Sequence, residues 1–176
     1  LTHLLHADLW GNQADLSLWP AEKGEQPNSA DAHDEFLLVD DTTAVIPHLL
    51  SPNNRIDIIA DNAGFELVAD LCLLDYLLRS ETAVNIHLHL KAHPTFVSDA
   101  LIKDAADTIA FLASDEDEEV RIVGESLKEM MENGRFPTIP GSRFPRRIIP
   151  MHIFIDDLMG DVVSAPVCIC PFVGNA

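Results

Sequence analysis

Asp61, Asn62 and Asp99 are oxygen donors placed where two apolar runs give out. Ile56-Asp57-Ile58-Ile59-Ala60 leads into Asp61-Asn62-Ala63-Gly64, and the alternating run 84–90 leads through residues 91–94 to Ser98-Asp99. Carboxylate and amide oxygens are hard ligands, suited to magnesium or manganese rather than zinc or copper. Each residue also suits a plainer role, because an Asp or Asn ahead of a helix caps its first free N–H groups. Taken singly, capping is the commoner reason for such a residue. On spacing alone, a shared cation and a pair of helix caps stay open as alternatives.

Asp40-Asp41 follows a third apolar run, Phe36-Leu37-Leu38-Val39, and would add carboxylates at the same edge of a sheet. Histidines speak more weakly. His87 and His89 alternate on one face of a strand and could bind a metal, although an isolated pair in a strand is more often packed or facing solvent. His93, beside Pro94, suits a polar supporting role. No Ser-His-Asp or Cys-His order is recognisable, and no glycine-rich dinucleotide or nucleotide phosphate loop is present.

The elements that must position these residues follow a repeating grammar. A strand at 36–39 is followed by a helix at 43–50, a strand at 55–60 by a helix at 65–79, and a strand at 84–90 by a helix of roughly a dozen residues opened by Ser98-Asp99. Leu67, Leu71, Leu74 and Leu78 recur at helical spacing within 65–79. A further amphipathic helix over 120–133 ends at Gly134, residues 135–150 form a Pro- and Arg-rich loop, and 162–169 reads as one more strand. Strand–helix alternation with short links predicts an α/β fold, a three-layer α/β/α arrangement with a mostly parallel sheet. In such sheets ligands gather beyond the carboxyl ends of the strands, and the helix N-termini there favour a bound phosphate.

The 176 residues suffice for one domain with a real core. Lys and Arg total 11 against 29 Asp and Glu, a formal charge of −18, which argues against nucleic acid and anionic membrane as partners. Arg143, Arg146 and Arg147 are a weak cluster. Cys72 reads as a core residue, while Cys168 and Cys170 lack the further ligands that zinc wants. The expected setting is reducing and cytoplasmic, with the nucleus as a second compartment. A first residue that is Leu rather than Met suggests a piece of something longer.

Three segments together resemble a known family. Leu9-Trp10-Gly11-Asn12-Gln13-Ala14-Asp15-Leu16-Ser17-Leu18, Asp61-Asn62-Ala63-Gly64-Phe65-Glu66-Leu67 and Lys91-Ala92-His93-Pro94-Thr95-Phe96-Val97-Ser98-Asp99 are similar, in this order, to motifs of the damage-control phosphatases, formerly domain of unknown function 89. The branch is that of acidic-residue methyltransferase 1, and the wording is most like its fungal members. The resemblance covers residues 1 to about 136; residues 137–176 match poorly. It implies a metal-dependent phosphatase for small phosphometabolites such as sugar phosphates, fructose 1-phosphate among them. It implies that Asp61, Asn62 and Asp99 hold manganese, alternatively magnesium, cobalt or nickel, with Asp61 and Asp99 at the chemistry. It implies Asn12, Asp15 and Lys91 as substrate contacts, Lys91 being equally readable as a surface lysine. Two other readings are methyl transfer from S-adenosylmethionine to protein carboxylates and an inactive metal-binding fragment. The family continues into a Lys-Gly-Asp-x-Asn-Tyr-Arg motif, whereas here Val173 stands where its lysine and Asn175 where its aspartate are expected. Oligomeric state is not legible.

Overall fold

A computed structural model of the chain describes residues 1–11, 40–51, 55–80, 85–140 and 153–156. In chain order these form α1 (Thr2–Leu9), α2 (Thr42–Leu49), β1 (Arg55–Ile59), α3 (Phe65–Arg79), β2 (Asn85–Leu90), α4 (Ile102–Leu112), α5 (Glu118–Glu132), β3 (Thr138–Pro140) and β4 (Ile153–Asp156). The strands make one sheet in the order β3-β2-β1-β4. β1 and β3 run parallel to β2, and β4 is antiparallel to β1 at the other edge. The expected α/β class with a mostly parallel sheet is what the described residues form.

Alternation along the central strands separates two faces. Ile56, Ile58, Ile86 and Leu88 are fully buried in one cluster with Leu67, Leu71, Leu74 and Leu78 of α3 and with Ala105, Ile109 and Leu127 of α4 and α5. Asp57, His87 and His89 occupy the opposite face. α3 is buried on nearly every side, Leu73 and Leu77 included, as befits a helix at the centre of a core rather than at its rim. Burying a leucine side chain contributes about 2 kcal/mol, so this helix anchors the loop that precedes it.

The structure departs from the sequence expectations at element ends and edges. α4 starts at Ile102, three residues after Asp99, because residues 98–101 pair with the ends of β1 and β2 instead of coiling. Within the expected loop 135–150 the chain adds β3 as an edge strand, tolerating Pro140 because an edge position needs no second set of ladder bonds. Three residues are too few to show a period. β4 is equally short. The expected strands at 36–39 and 162–169, the arginine cluster, Cys168, Cys170 and residues 173–176 lie outside the described residues.

Candidate metal centre

The last rung between β1 and β2 is a bond from Ala60 N to the His89 carbonyl, 3.0 Å. Beyond it, the segment 98–101 threads between the two strand ends. Ala100 N donates to the Asp61 carbonyl at 2.9 Å, and Lys91 N donates to the Ala100 carbonyl at 2.8 Å. Ala63 N donates to the Ser98 carbonyl at 2.7 Å, and Asn62 and Asp99 are antiparallel bridge partners. Buried main-chain groups must find partners, and here that demand ties three loops distant in sequence into one frame.

Side chains converge within the frame. The Lys91 ammonium lies between two carboxylates: it donates to Asp61 Oδ1 and to Asp99 Oδ1, the latter at 2.7 Å, and to the Asp61 carbonyl at 3.2 Å. Asp99 is held from behind, its Oδ2 accepting from Thr95 N at 2.6 Å and Phe96 N at 2.9 Å. Burial by itself would push the Asp99 carboxyl up, but Lys91 and these two N–H groups outweigh it and hold the carboxyl below its ordinary range. Burial would likewise lower Lys91, yet its two carboxylate partners raise it, so the ammonium is fully charged. Exposure separates the two acids: the Asp61 side chain is 24% exposed and that of Asp99 is 2%.

Asn62 is set by Glu66, one turn into α3. Its Nδ2 donates to Glu66 Oε2 at 2.9 Å and its backbone N to Oε1 at 3.4 Å, so Oδ1 is the atom the amide would offer a cation. Glu66 is itself raised, by burial first and then by the Asp61 charge, against the pull of Asn62. Gly64, at φ 92° and ψ −137°, makes the reversal between Asn62 and α3, a conformation that side-chain-bearing residues rarely adopt. Gly11 lies against the same turn: a Cβ there would stand 2.7 Å from Glu66 Cα.

The capping alternative fails for these residues. The N-cap of α3 is Gly64, with no side-chain cap bond. At α4 the N–H of Leu101 is taken by Asp104, at 3.0 Å. No side chain among Asp61, Asn62 and Asp99 caps either helix, and Asp61 Oδ1 and Asp99 Oδ1 both meet Lys91 between the strand ends. An ammonium drawn to two carboxylates marks where positive charge belongs, and the donors around it are all oxygens. A hard divalent ion fits these residues.

Of the other sequence candidates, Lys91 is brought into the centre, while Asn12 and Asp15 lie outside the described residues. Asp40 and Asp41 are exposed and belong to the start of α2, where Asp40 Oδ1 accepts from Thr42 N at 2.9 Å. His93 is exposed. Sequence reasoning missed Glu66, whose signal was an acid one helical turn after Asn62. It also missed the grouping of Asp57 with His87 and His89, whose ligand atoms all lie within 4.8 Å of one another.

Comparison with known proteins places the chain in a family. Residues 1–148 match the family described as damage-control phosphatase ARMT1-like domain. The chain is 43% identical over 112 residues to damage-control phosphatase ARMT1 of Rattus norvegicus, covering 57% of this chain and 26% of that protein. Against the proteins of the same name from Mus musculus and Danio rerio it is 35% identical over 144 residues, covering 76% and 74% of this chain and 33% and 32% of theirs. The chain thus spans about a third or less of the length of the curated relatives it matches. With the matched segment reaching from α1 through β3 and enclosing the whole Asp61–Lys91–Asp99 centre, the chain belongs to the damage-control phosphatase ARMT1-like domain family.

Proposed function

We propose that the protein hydrolyses phosphate monoesters of small metabolites, sugar phosphates foremost, with a divalent ion held by Asp61, Asn62 and Asp99. The observation that carries this reading is the convergence of two carboxylates from separate strand ends on one cationic group, the Lys91 ammonium. Manganese is the first choice of ion, with magnesium, cobalt and nickel as alternatives of the same oxygen-accepting kind. When bound, the ion supplies charge neutralisation for the phosphate oxygens.

The remaining work falls to the chain. Asp99, with Oδ2 clamped by two N–H groups, is an anchor whose carboxylate cannot turn away. Asp61 is the carboxylate that solvent reaches, so it is the one suited to act at the reacting phosphorus or on its attacking water. Lys91 would turn its donors to the ester's oxygens when an ion takes up the two carboxylates. The first turn of α3 carries N–H groups without a side-chain cap and adds the positive end of a helix to an anion site.

The test is a phosphatase assay of the longest native open reading frame against a panel of sugar phosphates with each metal in turn. Metal-dependent turnover that disappears in Asp61→Ala is the expected result. Turnover that persists after exhaustive chelation, or in that variant, would overturn the reading.

A further inference from the structure

A second group of ligating side chains lies on the same polar face of the sheet, two residues back along the strands. Asp57 of β1 is the register partner of His87 of β2, and His89 is two residues further on, its side chain on the same face. His89 Nε2 lies 2.7 Å and His87 Nδ1 3.5 Å from Asp57 Oδ1. Asp57 and His89 are 6% and 5% exposed, while the His87 side chain, at 24%, leaves one side open to solvent. Two imidazoles thus meet a single carboxylate oxygen on one face of the sheet, opposite buried Ile56, Ile58, Ile86 and Leu88.

We infer that Asp57, His87 and His89 form a second metal centre, separate from the Asp61 centre and selective for a borderline transition ion of the zinc, cobalt or nickel type. Two imidazole nitrogens and one carboxylate oxygen are the donor types such ions take, with a fourth position open to water on the His87 side. Magnesium and manganese, which prefer oxygen, would pass it over for the Asp61 centre. The ion would take the place of the direct contact between His89 Nε2 and Asp57 Oδ1.

One group opposes it. Arg55 Nη2 also contacts Asp57 Oδ1, at 2.7 Å, but its side chain is 41% exposed and can turn to solvent. This opposition gives the inference a distinctive sign. Were the trio only an ion-paired cluster, removing Arg55 would weaken it; as a metal centre, Arg55→Gln tightens it by removing a competing cation. The inference does not depend on the proposed phosphatase reaction.

The experiment titrates metal-free full chain with cobalt chloride, reading the visible ligand-field bands, in an Asp61→Asn/Asp99→Asn background that removes the first centre. One equivalent of cobalt should bind with nitrogen-donor bands and be displaced by zinc. His87→Gln, a half-buried position that spares the core, should lower affinity at least about tenfold, since even outer partners of metal ligands are worth that much. Arg55→Gln should raise affinity several-fold. No binding in the Asp61→Asn/Asp99→Asn protein, with its circular dichroism intact, would overturn the inference. So would unchanged affinity in His87→Gln, or a loss of affinity in Arg55→Gln.

Discussion

Asn62 and Asp99, 37 positions apart, face each other as bridge partners, their loops joined by main-chain bonds on either side. This pairing makes two motifs into one site and separates the roles of the two aspartates. Asp61→Asn should leave the melting temperature near that of the parent while lowering metal-stimulated phosphatase turnover by a hundredfold or more. Asp99→Ala should lower both, because it removes the buried carboxylate that accepts from Thr95 N and Phe96 N, at about 1 kcal/mol for each hydrogen bond lost. Thermal unfolding beside activity assays tells them apart, and equal stability of the two variants would contradict the anchoring role of Asp99.

Lys91 sits where two carboxylates compete for positive charge. In metal-free protein, Lys91→Gln should destabilise the fold by leaving the two acids facing each other. Added manganese should then raise its melting temperature more than it raises the parent's. Differential scanning fluorimetry with and without metal measures this directly. The same variant should raise KM for a phosphate ester more than it lowers kcat, in keeping with a substrate-oxygen contact.

Asp8 of α1 and Asp70 of α3 are a buried acid pair, 1% exposed each, whose side chains interact with each other. Burial is the main cause that raises Asp8 from its ordinary 3.8 to about 7, against the pull of its hydrogen bond with Asp70, and raises Asp70 well above its ordinary value, where the Asp8 charge adds to it. Both groups hold protons in the folded chain that the unfolded chain releases near pH 4. Their contribution to stability is therefore complete below that pH and is lost as pH rises towards and through 7, at about 1.4 kcal/mol per pH unit for each group. Asp70→Asn should flatten this decline and stabilise the protein at pH 8. Urea unfolding across pH 5–8 provides the measurement, and an unchanged slope in the variant would exclude the pair as its source.

Gly64 turns the chain between Asn62 and α3 at φ 92°. A Cβ at this position would meet nothing within 4 Å, so the cost of Gly64→Ala is backbone strain alone, about 1–3 kcal/mol. A fall in stability of that size, together with weaker manganese binding by calorimetry, is expected. A neutral effect would mean that the turn relaxes without moving Asn62.

Much of this architecture is local in origin and was legible in the sequence. The bounds of α3, the β1 run before Asp61 and the alternation of β2 follow from apolar periodicity and from turn residues such as Asn62 and Gly64. These local signals were enough to put oxygen donors at strand ends. They could not distinguish a ligand from a cap, because an aspartate before a helix looks the same in both roles. That distinction came from pairing: residues 98–101 bond to the ends of β1 and β2, so α4 starts late and Asp99 points into the gap rather than at a helix. The support of Asn62 by Glu66 spans one helical turn, but the place of Lys91 between two acids and the meeting of Asp57 with His87 and His89 depend on the register of strands some thirty residues apart. A shift of one residue would turn every one of those side chains to the other face. No local pattern encodes that register; the burial of Ile56, Ile58, Ile86 and Leu88 beneath α3 decides it.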